Sequence, residues 1–98
     1  RSNDGTILMV LTDLIFEGTI KHYRSSSWRD VPSDGTVSIS SGPGSIEMTS
    51  TGNYRYTVTA STNNSQSVTF RYRRNSTNYE QIKTIAQLKT DSSLLLQQ

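Results

Sequence analysis

Few residues in this sequence have both the type and the spacing to do chemistry. The one histidine, His22, lies between Lys21 and Tyr23 on an expected strand, where it reads as a structural or surface residue and not as a catalytic base. Serines are abundant, but none sits in a Gly-x-Ser-x-Gly elbow. Cysteine is absent, which removes disulfides, zinc thiolates and thiol nucleophiles. The glycine-rich stretch Ser41-Gly42-Pro43-Gly44-Ser45 places a proline where a phosphate-binding loop needs free amides. Asp30 and Asp34 flank a turn and could share a calcium ion with loop carbonyls, although turn and capping roles explain them more simply. Asn63-Asn64-Ser65 and Asn75-Ser76-Thr77 fit the glycosylation pattern, which matters only in a secretory compartment. The expectation is a protein that is not an enzyme, with no catalytic residues, no cofactor, no metal and no small-molecule substrate.

What remains is a surface. Between Glu47 and Glu80 there is no acidic residue, yet Arg55, Arg71, Arg73 and Arg74 fall inside that span. The net charge of +2 is too small to specify a polyanion by itself, so any preference for an anionic ligand rests on this local arrangement.

The elements that would position these residues are mostly strands. The chain has 98 residues, enough for a single domain (1–98), and only 32% of them are apolar or aromatic. So thin a core would gain from apolar surface lent by a second subunit. Serine, threonine and asparagine contribute 35 residues, which favours strands with polar outer faces joined by turns. The expected fold class is α+β, mainly β: an antiparallel sheet of about five to six strands followed by a C-terminal amphipathic helix.

In residues 1–24, Asp4-Gly5-Thr6 reads as a turn into Ile7–Leu11, an apolar run suited to a buried strand and too short to span a bilayer. Leu14 to Arg24 reads as a further strand, with a bulge or bend at Gly18. Ser25-Ser26-Ser27 and Trp28 are expected in a loop. No signal peptide is visible and the chain opens at Arg1, consistent with a fragment or processed product.

Residues 36–74 carry the firmest pattern. Val37 and Ile39 alternate with Thr36, Ser38 and Ser40, and Ile46 and Met48 alternate with Glu47 and Thr49. Tyr54, Tyr56, Val58 and Ala60 share one face, Val68, Phe70 and Tyr72 share another, and Thr62–Ser65 is expected to close the two runs into a hairpin. Residues 77–96 read as helical. Thr77 and Glu80 have capping-box spacing, and Tyr79, Ile82, Ile85, Ala86 and Leu88 form one helical stripe from Asn78 to about Lys89. Asp91-Ser92-Ser93 would start a short second turn bearing Leu94, Leu95 and Leu96, three leucines that need a cover.

Strand parity in a single sheet puts Thr36, Ser38, Ser40, Glu47, Thr49, Arg55, Thr57, Thr59, Thr69, Arg71 and Arg73 on the outer face. Hydroxyls interleaved with arginines can meet phosphates, sugars and base edges, so nucleic acid is a candidate ligand. Threonine and arginine are equally the ordinary solvent-side residues of half-buried strands.

The order of short strands, tight hairpin and terminal helix resembles the coat proteins of single-stranded RNA bacteriophages. The stretch that carries this runs Asn53-Tyr54-Arg55-Tyr56-Thr57-Val58, then Ser67-Val68-Thr69-Phe70, with Asn75-Ser76-Thr77 opening the helix, and it covers roughly residues 36–90. The resemblance implies a homodimer in which one subunit's helices cover its partner's sheet. It also implies that eight of the outer-face residues, Ser38, Thr49, Arg55, Thr57, Thr59, Thr69, Arg71 and Arg73, point toward RNA inside a capsid. The chain is short for that family, its 62–65 loop is small, and residues 1–35 match nothing in it.

Three readings stay open from sequence. The first is a non-enzymatic structural or assembly subunit of a viral or phage particle, self-associating, found in the virion or cytoplasm with secretion not excluded. The second is a carbohydrate-binding or adhesin-like β domain, in which an exposed Trp28 or Tyr23 stacks on a sugar. The third is a fibre subunit that lends Ile7–Leu11 to a neighbour's sheet edge.

Overall fold

The computed structural model describes residues 12–98. In chain order the elements are β1 (Asp13–Arg24), β2 (Ser27–Asp30), β3 (Thr36–Ser41), β4 (Ser45–Ser50), β5 (Asn53–Thr59), β6 (Ser67–Arg74), β7 (Thr77–Thr84), α1 (Ile85–Thr90) and β8 (Leu94–Leu96). The Ile7–Leu11 run and the Asp4–Thr6 turn lie outside the described residues.

The alternation holds and the pairing does not. Tyr54, Tyr56 and Val58 are buried on β5, and Val68, Phe70 and Tyr72 are buried on β6. The two strands nevertheless belong to different sheets. β5 pairs with β1 and β4, whereas β6 pairs with β3 and β7. The segment of residues 60–66 therefore carries the chain across the core instead of closing a hairpin. β5 and β6 each have one apolar face, and the two sheets satisfy these faces by packing them together.

One sheet has five strands, in the order β2-β1-β5-β4 with β8 on β1, and the other has three, in the order β3-β6-β7. The arrangement β1-β5-β4 over β3-β6-β7 is the connectivity of strands B-E-D over C-F-G in an immunoglobulin-type sandwich. One core cluster joins the sheets, and the Phe70 ring meets the edge of Tyr56 at 5.1 Å between centroids.

β1 is long enough to serve three partners, β8 at residues 20–22 among them. Residues 13–19 pair with β5, and residues 21–24 pair with β2. The register runs through Gly18 without interruption, so this glycine marks no bulge. It permits close approach, because a Cβ there would stand 2.9 Å from Ser92 Oγ, which donates to the Glu17 carbonyl. Ser25 and Ser26, at φ of 52° and 62°, form the two-residue turn of a β1–β2 hairpin. Trp28 consequently lies on a strand and not in a loop.

The C-terminal region departs most from expectation. Thr77 opens β7, and residues 78–84 are strand. The capping box belongs to Thr84 and Gln87: the Gln87 amide donates to Thr84 Oγ1, and the Thr84 amide donates to Gln87 Oε1. Helix α1 spans only six residues. Leu94–Leu96 is not a helical turn but a strand parallel to β1, and the Glu80–Gln97 bridge ties the same segment to β7. Leu94 and Leu96 are buried by the domain's own sheets, while Leu95 faces outward.

Candidate binding faces

The eight expected ligand-facing residues do not share a surface. Arg55, Thr57 and Thr59 lie on β5, and Thr49 lies on β4 beside its register shift, all in the five-stranded sheet. Ser38 on β3 and Thr69, Arg71 and Arg73 on β6 belong to the three-stranded sheet, with Ser38 opposite Arg71. The inner faces of the two sheets form the core, so their outer faces point in opposite directions. The single basic, hydroxylated face becomes two.

Cross-strand partners also occupy the arginines. Glu17 and Glu47 stand opposite Arg55 from either side, at 2.8 and 3.6 Å. Arg71 Nε lies 2.6 Å from Glu80 Oε2, and Arg73 Nη1 donates to Asn78 Oδ1 at 3.4 Å. Three of the four arginines in the acid-free span from 48 to 79 thus meet carboxylates from outside it, Glu17 and Glu47 on Arg55, Glu80 on Arg71 and Asp34 on Arg74. Asp30 and Asp34 each face a different cationic side chain. Asp30 lies 3.8 Å from Lys21, and Asp34 lies 2.9 Å from Arg74.

His22 is a core residue. It is 2% exposed, its Nδ1 bonds to the Arg29 carbonyl at 3.0 Å, and its ring meets the Tyr79 and Tyr72 rings edge-on at 4.8 and 5.6 Å.

A different surface emerges around the β1–β2 hairpin. Trp28 and Tyr23 face each other across the ladder with centroids 5.1 Å apart and planes at 63°. They remain 40% and 42% exposed, which is high for large aromatic residues. Strand parity sets Lys21 and Asp30 on the same face, one step along, with the exposed Leu95 beside Lys21 on β8. Further along come Thr19 opposite Asn53, then Glu17 opposite Arg55. The result is an aromatic platform at one end of a row of donors and acceptors.

Sequence already singled out Trp28 and Tyr23. It did not reveal Lys21, Asp30 or Leu95 as their neighbours, because that grouping depends on β2 and β8 both docking on β1. Among the described residues no helix is long and apolar enough to cross a membrane. Comparison with known proteins finds no matching family model, no matching curated relative and no matching solved structure.

Proposed function

We propose that this chain is a non-enzymatic, carbohydrate-binding β-sandwich domain of the adhesin-like kind, which receives its ligand on the outer face of the five-stranded sheet. The observation that carries the reading is the solvent-exposed Tyr23–Trp28 pair on a strand pair, the two rings in edge contact with each other. An aromatic plane held open to water offers stacking to the apolar face of a sugar ring, and the adjacent Lys21, Asp30 and Asn53 offer hydrogen bonds to its hydroxyls.

Trp28 is the one tryptophan, so its fluorescence reports the platform directly. Titration with a panel of neutral oligosaccharides should quench or shift that emission saturably for at least one of them. Trp28→Ala should weaken the same ligand roughly tenfold or more, as measured by calorimetry. A panel that leaves both the emission and the backbone amide shifts of residues 21–30 unmoved would overturn the reading.

The particle-subunit reading needs a free basic face, and the carboxylates on Arg55 and Arg71 leave it less support. RNA retention at low salt that falls when Arg55, Arg71 and Arg73 are replaced would restore it.

A further inference from the structure

The inward-facing parity of the strands continues past the end of the apolar core. On β1 the inner residues run Ile20, His22, Arg24, and on β6 they run Phe70, Tyr72, Arg74. Tyr79 and Thr77 follow the same sequence on β7, where Thr77 pairs with Arg74. Aromatic residues thus give way to guanidinium groups at the mouth of the sandwich, one from each sheet.

Two tight turns frame this mouth. Ser25-Ser26 and Asn75-Ser76 all have φ between 49° and 69°, so both hairpins end in two-residue turns of the same kind. Between them lies a polar cleft of about 70 Å³ lined by Arg24, Arg74, Asn75, Thr77 and Tyr79.

Charge in the cleft is unbalanced. Asp34 is paired with Arg74, its Oδ1 lying 2.9 Å from Arg74 Nε and its Oδ2 accepting from Nη2 at 3.1 Å. Arg24 has no acidic partner among the described residues. Its own carbonyl accepts from Arg29 Nε at 2.9 Å, which brings a third guanidinium to the same hairpin end. Like charges gathered in a confined cleft favour occupation by an anion.

We propose that this mouth is a subsite for one oxyanion group, held between the Arg24 and Arg74 guanidinium groups with Thr77, Asn75 and Tyr79 supplying neutral donors. The Arg24 fork suits the paired oxygens of sulfate, phosphate or carboxylate, and Arg74, whose Nε and Nη2 are on Asp34, has Nη1 left to offer. The site is independent of the aromatic platform. Tyr23 and Trp28 occupy the outer face of the β1–β2 hairpin, and Arg24 the inner one.

The test is a backbone amide titration of the whole chain with sodium sulfate, phosphate or acetate, each at ionic strength held constant with chloride. At least one oxyanion should produce saturable shifts centred on residues 24, 74, 75, 77 and 79. Arg24→Gln replaces an exposed side chain and should weaken that binding roughly tenfold or more. Arg74→Gln, checked for folding by its own spectrum, should weaken it as well. Shifts that chloride alone reproduces, shifts centred elsewhere, or an affinity unchanged in Arg24→Gln would each overturn the proposal.

Discussion

The Tyr72 hydroxyl donates to the Pro32 carbonyl at 2.6 Å, which fastens the β2–β3 connection to the centre of the second sheet. Tyr56 does the same for the β3–β4 connection through Pro43 at 2.5 Å, and Tyr54 for the segment before β8 through the Ser92 carbonyl. In each case a ring fully inside the core ends in a hydroxyl that closes a loop. Tyr72→Phe keeps the ring and leaves the carbonyl unpaired, so it should cost about 1–2 kcal/mol. Urea denaturation would measure this, and a midpoint equal to wild type would show the bond to be energetically idle.

The same tyrosines should make the fold sensitive to alkali. Burial pushes the Tyr54 hydroxyl up to about 12, with the Asp91 charge adding to it, and burial alone pushes Tyr56 up to about 12. An unfolded tyrosine ionises near ~10. Below that value both states are protonated and the hydroxyls' contribution is fully present. Above it the unfolded chain loses protons first, so stability falls as pH rises toward about 12. Urea midpoints should therefore be flat with respect to tyrosine ionisation up to about pH 9 and decline above about pH 10, with a shallower decline in Tyr56→Phe.

Gly44 is the tightest point of the β3–β4 turn. Its φ is +93°, and a Cβ there would stand 2.5 Å from Tyr56 Cε1 and 2.7 Å from the Thr57 carbonyl oxygen. Backbone strain and overpacking act together, so Gly44→Ala should destabilise by about 2–4 kcal/mol. In a domain of this size that lowers Tm by roughly 10 °C or more, readable by calorimetry.

Strand parity was legible in sequence because Tyr54-x-Tyr56-x-Val58 and Val68-x-Phe70-x-Tyr72 alternate cleanly, and burial follows that pattern. Sheet membership was not legible, because alternation says which residues face a core and not which strand lies alongside. The helix-like pattern of β7 has a more specific cause. Gln81 and Lys83 occupy inward positions that a strand pattern would fill with apolar residues. They are satisfied there from far along the chain: Gln81 Oε1 accepts from the Leu95 amide, and Lys83 Nζ donates to the Asp91 and Ser93 carbonyls at 2.6 and 2.7 Å. Ile82, meanwhile, points outward at 65% exposure. The spacing of Tyr79, Ile82 and Ile85 imitates a helix only until those contacts are known. The candidate site was half legible: Trp28 and Tyr23 were identifiable as residue types, and the surface around them was not.

Arg55 makes the most connected ion pair on the first sheet, yet Glu17, Glu47 and Arg55 itself are all substantially exposed. Solvent screens such pairs, so Arg55→Ala should cost less than about 1 kcal/mol, and less again at high salt. A loss of several kcal/mol would mean that the arginine stem packs the sheet in a way its charge does not explain.

The C-terminal strand offers the sharpest contrast between neighbouring residues. Leu94 and Leu96 are fully buried, while Leu95 between them is 38% exposed. The strand pairs with β1, and Gln97 exchanges both backbone hydrogen bonds with Glu80 at 2.9 and 3.1 Å, so these residues seam one sheet to the other. Leu96→Ala removes core volume at that seam and should cost about 2–5 kcal/mol. Leu95→Ser alters only the outer face and should stay within roughly 0.5 kcal/mol of wild type. A helical terminus would not impose this two-residue alternation. Equal losses at the two positions would therefore contradict the strand, and with it the closure of the sandwich on that side.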